Sequence, residues 1–429
     1  MKMKLAAIIL LVLSMAGGIW LWQNKNTHNG GGSIRGSNDK YEIFVGEVYD
    51  KIQQNYWEKI SDGELSNLFL LAMEKITNNK LTLKSQDKNG VGEMIKETTA
   101  TMSADKKTEY LAGITDVVLA NLRPFGRSRL YSQKDEKTLS NAVNNINPTA
   151  DHFKTLGVPT GASDRQVASA FQTKEQELAP KAKESTAAAQ QLAEVKQAYQ
   201  VLKTEDSRKI YEISGVEPTI DYKLLSPAIF YMHLTKFSPT SMDEFARVTA
   251  RVDNKGSELN TLILDLRDNI GGAIDGLPYF LGPFIGINTY AYQFYHQGNY
   301  EDFKTLTGWM NTLVRYKKVV ILINGGTQST AEVMTAVLKK YNVGVVVGTT
   351  TKGWGTVEKV FPMDSQIDGN QKFSIFLVHH VTLRDDNQPI EGRGVDPMID
   401  TSKPNWQKEL QSRFGDTGLT KAVEGLFNQ

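Results

Sequence analysis

The residues best suited to chemistry lie between Lys318 and Met334. There the apolar run Val319-Val320-Ile321-Leu322-Ile323 passes through Asn324-Gly325-Gly326 and reaches Ser329. A helix is predicted to begin directly after that serine. A strand that turns into a helix at a serine exposes the hydroxyl at the corner, where free helix N–H groups and the macrodipole favour negative charge. The chemistry this allows is nucleophilic attack by a serine oxygen. Ser329-Thr330-Ala331-Glu332 is equally a capping box, in which the serine only starts the helix. Other chemistries have less to stand on. The chain has no cysteine, which excludes disulfides, thiolate metal sites and a cysteine nucleophile. His379 and His380 are adjacent in a predicted strand, so their rings are expected on opposite faces, unable to share one metal ion. His28, His152, His233 and His296 show no ligand spacing, and His233 reads as a structural residue of a core strand. No metal and no cofactor are expected.

The elements that must position Ser329 are short apolar runs rich in β-branched residues, at Ala228–Leu234, Thr261–Leu266, Lys318–Ile323 and Val343–Gly348. A helical stretch, Ala331–Lys340, separates the last two, and strand–helix–strand order of this kind predicts an α/β core. Antiparallel strands are predicted at Lys359–Pro362 and Lys372–Leu383, around a turn at Asp368-Gly369-Asn370. Asp265 and Arg267 read as fastening a strand end, and the aromatic residues of Tyr290–Tyr300 as core rather than the lining of a peptide groove. Upstream, residues 41–146 carry helical periodicity. Tyr41, Phe44, Val45, Val48, Tyr49 and Ile52 share one face, and Leu65, Leu68, Leu71, Ala72 and Ile76 are predicted to repeat the pattern.

Two further segments add to Ser329. Leu262-Ile263-Leu264-Asp265-Leu266-Arg267-Asp268-Asn269-Ile270-Gly271-Gly272 resembles the Leu-Asp-Leu-Arg-x-Asn-x-Gly-Gly signature of the C-terminal-processing (tail-specific) serine peptidases. Gly392-Arg393-Gly394-Val395-Asp396-Pro397 resembles their Gly-x-Gly-x-x-Pro segment, and Ile229–Ser238 their opening core strand. With Asn324-Gly325-Gly326-x-x-Ser329 these motifs fall in that family's order. The resemblance covers Val216 to about Asp400. It implies a Ser–Lys dyad with Ser329 as nucleophile, and an oxyanion hole from the N–H groups of Gly271 or Gly272 and of Thr330. A lysine acts as base only if desolvation lowers its pKa. The family's lysine position, aligned glycine on glycine, holds Trp354 here, and Lys352 stands where the family has phenylalanine. The family's nearby glutamine becomes Glu358, and the acid of the helix after the serine becomes Lys340. Residues two apart in extended chain point the same way about 6.6 Å apart, so Lys352 can approach Ser329 from one step along the strand. Two readings stand: a dyad through a displaced Lys352, or a pseudopeptidase that keeps the groove as a peptide-binding scaffold.

Asp151–Gly215 resembles a J-domain over nearly its whole length. Asp151-His152-Phe153-Lys154-Thr155-Leu156-Gly157-Val158 opens it, and Val195-Lys196-Gln197-Ala198-Tyr199-Gln200-Val201-Leu202 closes its second long helix. The His-Pro-Asp tripeptide through which J-domains engage their chaperone ATPase is replaced by Ala179-Pro180-Lys181. The fold is expected to persist and the co-chaperone activity to be absent, although a co-chaperone remains a third reading.

A chain of 429 residues calls for several domains. The expected fold class is an α/β peptidase core with a mixed sheet, preceded by an all-α N-terminal region and a small helical J-like domain. The boundaries are 1–22 for a membrane anchor or signal segment, 23–40 for a flexible linker, 41–146 for the helical region, 147–215 for the J-like module and 216–429 for the catalytic domain. Leu5–Trp22 is eighteen residues without a charge behind Lys2 and Lys4, long enough to span a bilayer, with the bulk of the chain then extracytoplasmic. Cleavage as a signal peptide at Ser14–Gly18 is the alternative. A formal net charge of +1 excludes the basic surplus of a nucleic-acid binder. The partners expected are therefore a membrane and protein or peptide substrates with unstructured C-termini.

Overall fold

The computed structural model describes residues 39–253, 258–384 and 386–428. The anchor expected at Leu5–Trp22 lies outside them; no helix of the described residues is long and apolar enough to cross a membrane. The strands in chain order are β1 (Arg129–Ser132), β2 (Ile220–Ser226), β3 (Ile229–Leu234), β4 (Thr261–Asp265), β5 (Tyr290–His296), β6 (Asn299–Lys304), β7 (Lys318–Ile323), β8 (Val345–Gly348), β9 (Thr356–Pro362), β10 (Phe373–Leu383) and β11 (Ile399–Asp400). The chain divides into two compact units, each built from three separate stretches. One takes 1–138, 292–302 and 355–391, and the other 139–291, 303–354 and 392–429.

The first unit is helical at its start. Its helices are Lys40–Asn55, Asp62–Thr77, Lys88–Thr99 and Ala104–Ala120. Ser61 and Glu64 form a full capping box that fixes where the second begins. The expected face of the first helix is buried in full: Tyr41, Phe44, Val45, Val48, Tyr49 and Ile52. It meets Phe373, Ile375 and Leu377 of β10, and Phe44 and Phe373 touch edge to face at 6.2 Å. In the second helix Leu65 and Ala72 are buried, but Leu71 is 51% and Ile76 40% exposed, against expectation. Six residues at 100° per residue put Leu71 about 240° round from Leu65, and the face is completed by Phe69 and Met73 instead. The sheet of this unit is antiparallel around β10, which pairs with β1, β9 and β5.

β10 also carries a correction. The register against β9 slips between Val378 and His380, a bulge that takes the intervening residue out of strict alternation. The rings of His379 and His380 therefore stack on one another, with centroids 4.2 Å apart and planes 9° from parallel, instead of pointing to opposite faces.

The second unit holds a six-stranded sheet in the order β11-β8-β7-β4-β3-β2. From β3 to β11 every pairing is parallel, and only the edge strand β2 runs antiparallel. Parallel strands covered on both faces read as near-continuous apolar runs, which is why β4 and β7 were conspicuous in the sequence. Ile263, Val320, Leu322, Val345 and Val347 pack against Leu410, Leu419, Val423 and Leu426 of the two C-terminal helices, Trp406–Phe414 and Thr417–Phe427. The mixed α/β core, the helical N-terminal region and the helical module together give the expected fold class.

The module is built from helices His152–Leu156, Asp164–Lys181, Thr186–Leu202 and Glu205–Ser214 around Phe153, Leu156, Val167, Val195, Ala198, Val201 and Leu202. Ala179, Pro180 and Lys181 fall in the last turn of its long second helix, and Lys181 pairs there with Glu177 at 2.9 Å. Glu217 ties the module to the chain that leads into β2. One carboxylate oxygen meets His152 Nε2 at 2.8 Å, and the other accepts from Gln197 Nε2 at 2.8 Å. Lys203 also pairs with Asp221 of β2, and Arg251 with Asp206. Tyr211 closes the module: its hydroxyl donates to the Ala150 carbonyl at 2.9 Å and accepts from the His152 N–H at 3.3 Å. Burial pushes the Tyr211 hydroxyl's pKa up, so it stays protonated and able to donate. Tyr211→Phe is expected to cost about 1 kcal/mol, read as a lower urea midpoint of the transition that includes the module.

Candidate active site

Ser329 sits between the end of β7 and the helix Thr330–Lys340, with φ 57° and ψ −126°. A non-glycine residue at positive φ is strained, and such strain persists only where the surroundings over-determine it. The determinants can be named. Asn324 accepts from the N–H groups of Gly326 and Thr327 at 3.0 and 3.2 Å, and from that of Asp268 at 3.0 Å, folding the Gly-Gly turn. Thr327 Oγ1 donates to the Leu266 carbonyl at 2.7 Å, and the Gln328 N–H to the Asn269 carbonyl at 2.9 Å. These bonds lash the β7 turn to the β4 turn.

Glu332 completes the restraint. Its carboxylate is fully buried and accepts from the N–H groups of Ser329 (2.9 Å), Gly353 (2.7 Å) and Trp354 (2.7 Å), and from Thr351 Oγ1. Burial pushes the Glu332 carboxyl's pKa up, opposed by those hydrogen bonds to its charged form. The capping bond expected of Ser329-Thr330-Ala331-Glu332 is present on the glutamate side, and the Glu332 N–H bonds the Ser329 carbonyl at 2.8 Å. Elbow and cap are thus one structure. Glu332 also reaches across to the segment 351–354, a role the sequence reading did not give it.

The Gly271-Gly272 turn stands against the serine. A Cβ on Gly271 would lie 2.6 Å from Ser329 Cβ and 3.1 Å from its Oγ, and one on Gly272 would fall on the Phe237 carbonyl. Both glycines have positive φ, 82° and 136°. The Gly271 N–H is committed to Asn269 Oδ1 at 2.9 Å. That leaves the N–H groups of Gly272 and Thr330 without an acceptor among the described residues. Thr330 Oγ1 donates to the Gly272 carbonyl at 2.9 Å and holds the two turns in register. Asn269, fully buried, also donates to the Leu234 carbonyl at 2.7 Å. Its place just before the glycine pair was the available sequence signal.

The Lys352 N–H bonds the Thr327 carbonyl at 2.9 Å, and its side chain is exposed. Trp354 is half-buried, with its N–H on Glu332. Lys340 ends the helix that starts at Thr330, its ammonium 4.4 Å from the Tyr290 ring centre. Glu358 belongs to the first unit, on β9, where it accepts from Thr356 Oγ1 at 2.6 Å. Asp265 and Arg267 form a forked ion pair that also engages Tyr231, as expected of a strand-end fastening. His233 Nε2 lies 3.1 Å from the Arg267 carbonyl, a satisfied structural histidine.

A serine on a strained strand-to-helix corner, facing a glycine pair and near the unspent N–H groups of Gly272 and Thr330, has the layout of a nucleophile elbow beside an oxyanion site. Residues 228–401 match the family model described as Peptidase family S41, and residues 151–212 the DnaJ domain. The core from 228 to 401 is thus similar to peptidase family S41, and a segment similar to a DnaJ domain precedes it. Carboxy-terminal processing protease CtpA of Bacillus subtilis is 30% identical over 200 residues, 45% of this chain and 40% of that protein. The carboxyl-terminal-processing protease of a Synechocystis strain is 27% identical over 157 residues, 37% of this chain and 35% of that protein. A solved photosystem II D1 C-terminal processing protease aligns with TM-score 0.48 and 12% identity, over 85% of this chain and 93% of that one. The chain spans less than half the length of the curated relatives it matches.

Proposed function

We propose that the chain is a membrane-tethered serine endopeptidase acting on unstructured protein tails, with Ser329 as nucleophile and Lys352 as a displaced base. The observation that carries this is the strained Ser329, packed against Gly271, together with the N–H groups of Gly272 and Thr330, which lack acceptors among the described residues. Lys352 takes the Ser329 proton as Oγ attacks the scissile carbonyl. The N–H groups of Gly272 and Thr330 receive the oxyanion, each such donor being worth about 3 kcal/mol in the transition state. The lysine then returns the proton to the leaving amine, and water releases the acyl group. Lys352 is exposed, so the substrate itself supplies the desolvation its base role requires. The names of the relatives supply the tail preference, and Leu5–Trp22 the tether, with the rest of the chain outside the cytoplasm.

A second reading rests on the same exposed lysine and on Trp354 at the family's lysine position: a peptide-binding scaffold without turnover. Cleavage of an unstructured protein such as casein by the full chain separates the two. On the first reading wild type cleaves, and Ser329→Ala and Lys352→Ala each abolish cleavage. An inert wild type that gains activity in Trp354→Lys supports the scaffold and rules out the displaced base.

A further inference from the structure

The slip in β10 has a second effect within the first unit. His296 closes β5, and one nitrogen from each of His296, His379 and His380 lies within 4.8 Å of the other two. Nδ1 of His296 and Nδ1 of His379 are 3.1 Å apart, and His296 Nδ1 also donates to the His379 carbonyl at 2.6 Å, a bond that a metal on this nitrogen would replace. Nδ1 of His380 is buried with no hydrogen-bond partner among the described residues, on a side chain only 9% exposed. An orphaned buried polar nitrogen costs roughly 1–3 kcal/mol, so something should occupy it. Zinc–nitrogen bonds of about 2.0–2.1 Å at tetrahedral angles set ligand nitrogens about 3.3 Å apart. Two of the three nitrogens already stand near that spacing, and a nitrogen of His380 lies within 4.8 Å of both rings' ligand atoms.

The surroundings suit a cation at one point and oppose it at another. Glu301 Oε2 lies 3.8 Å from His380 Nε2. At that distance the carboxylate does not hydrogen-bond the ring, but it places a negative charge near the site that favours a cation. Lys359, on the neighbouring strand β9, acts on His379 and His380 as a like charge and works against an added cation. Three imidazoles and no thiolate suit zinc, copper or nickel rather than magnesium or calcium.

We infer that His296, His379 and His380 form a binding site for one divalent late transition-metal ion. The ion ties β5 to β10 and keeps its fourth position for water. The site belongs to the first unit and is independent of the Ser329 chemistry.

The test is titration of the chelator-treated full chain with zinc against a competing indicator, repeated with cobalt(II) to read coordination from its visible bands. The expected result is one equivalent bound, with a higher thermal midpoint. His380→Phe keeps a ring beside Phe294, whose centroid is 5.2 Å away, and removes the orphaned nitrogen. It should fold normally and weaken binding about 10- to 100-fold. Lys359→Met should tighten binding. Absence of saturable binding, or binding that His380→Phe leaves unchanged, would overturn the site.

Discussion

Glu332→Ala is expected to lower the stability of the second unit by about 3–5 kcal/mol, more than any other single polar substitution at the elbow. The alanine leaves three N–H groups, the buried one of Gly353 and the partly buried ones of Ser329 and Trp354, and the Thr351 hydroxyl without their acceptor. Each buried donor left unpaired costs about 1–3 kcal/mol, and water entering the vacated space recovers part of the sum. The loss has a local signature that a generic core defect lacks. Amide hydrogen exchange should quicken at Ser329, Gly353 and Trp354 before it quickens in β4 and β7, because those three amides share one anchor. Glu332→Gln should recover only part of the loss, since its amide nitrogen brings a donor to a site already full of donors. A Glu332→Ala change below 1 kcal/mol, with exchange unaltered at the three amides, would show that Glu332 does not hold the elbow to the 351–354 segment.

Gly271→Ala and Gly272→Ala form the second large expectation. Positive φ at both positions strains any side chain, at about 1–3 kcal/mol each, and overpacking adds a similar amount. The two differ in what they push. The new methyl of Gly271→Ala meets Ser329 itself, so cleavage should fall by two orders of magnitude or more while much of the fold survives, as about 1 Å of misplacement can do. In Gly272→Ala the methyl meets the Phe237 backbone, which the chain bonds on both sides of the pair through the Phe237 N–H and the Ala273 N–H. Stability should therefore fall first. Gly276→Ala, with nothing within 4 Å of the new Cβ, serves as the comparison and should lie within about 0.5 kcal/mol of wild type. Equal effects from all three variants would contradict the assigned packing.

What the sequence revealed and what it concealed follow from the range of the interactions. Periodicity is local, so the buried face of the helix Lys40–Asn55 and the apolar strands β4 and β7 were plain from residue order. The Gly-Gly pair and the serine at a strand end were legible because a tight turn leaves few residue choices. Asn269 and Glu332 were less so. Each spends its side chain on backbone groups brought in from distant segments, such as the Leu234 carbonyl and the Gly353 N–H, and no spacing rule encodes those partners. The histidines of β10 misled for the opposite reason. Strict alternation is a local rule, and a slip against β9 cancelled it.

The first unit also sets an order of events for the newly made chain. Phe44 must pack against Phe373, and Lys40 bonds the Ile367 carbonyl across 327 residues of sequence. Contacts of that separation close slowly, because the intervening chain pays its loop entropy first. The module at 151–212, whose core draws only on residues between Phe153 and Leu202, can fold as soon as it leaves the ribosome. The N-terminal helices must keep Phe44, Tyr49 and Ile52 from wrong partners until β10 has been synthesised. Their period of greatest exposure to aggregation or proteolysis is therefore during translation, and slowing synthesis between residues 140 and 370 should lengthen it.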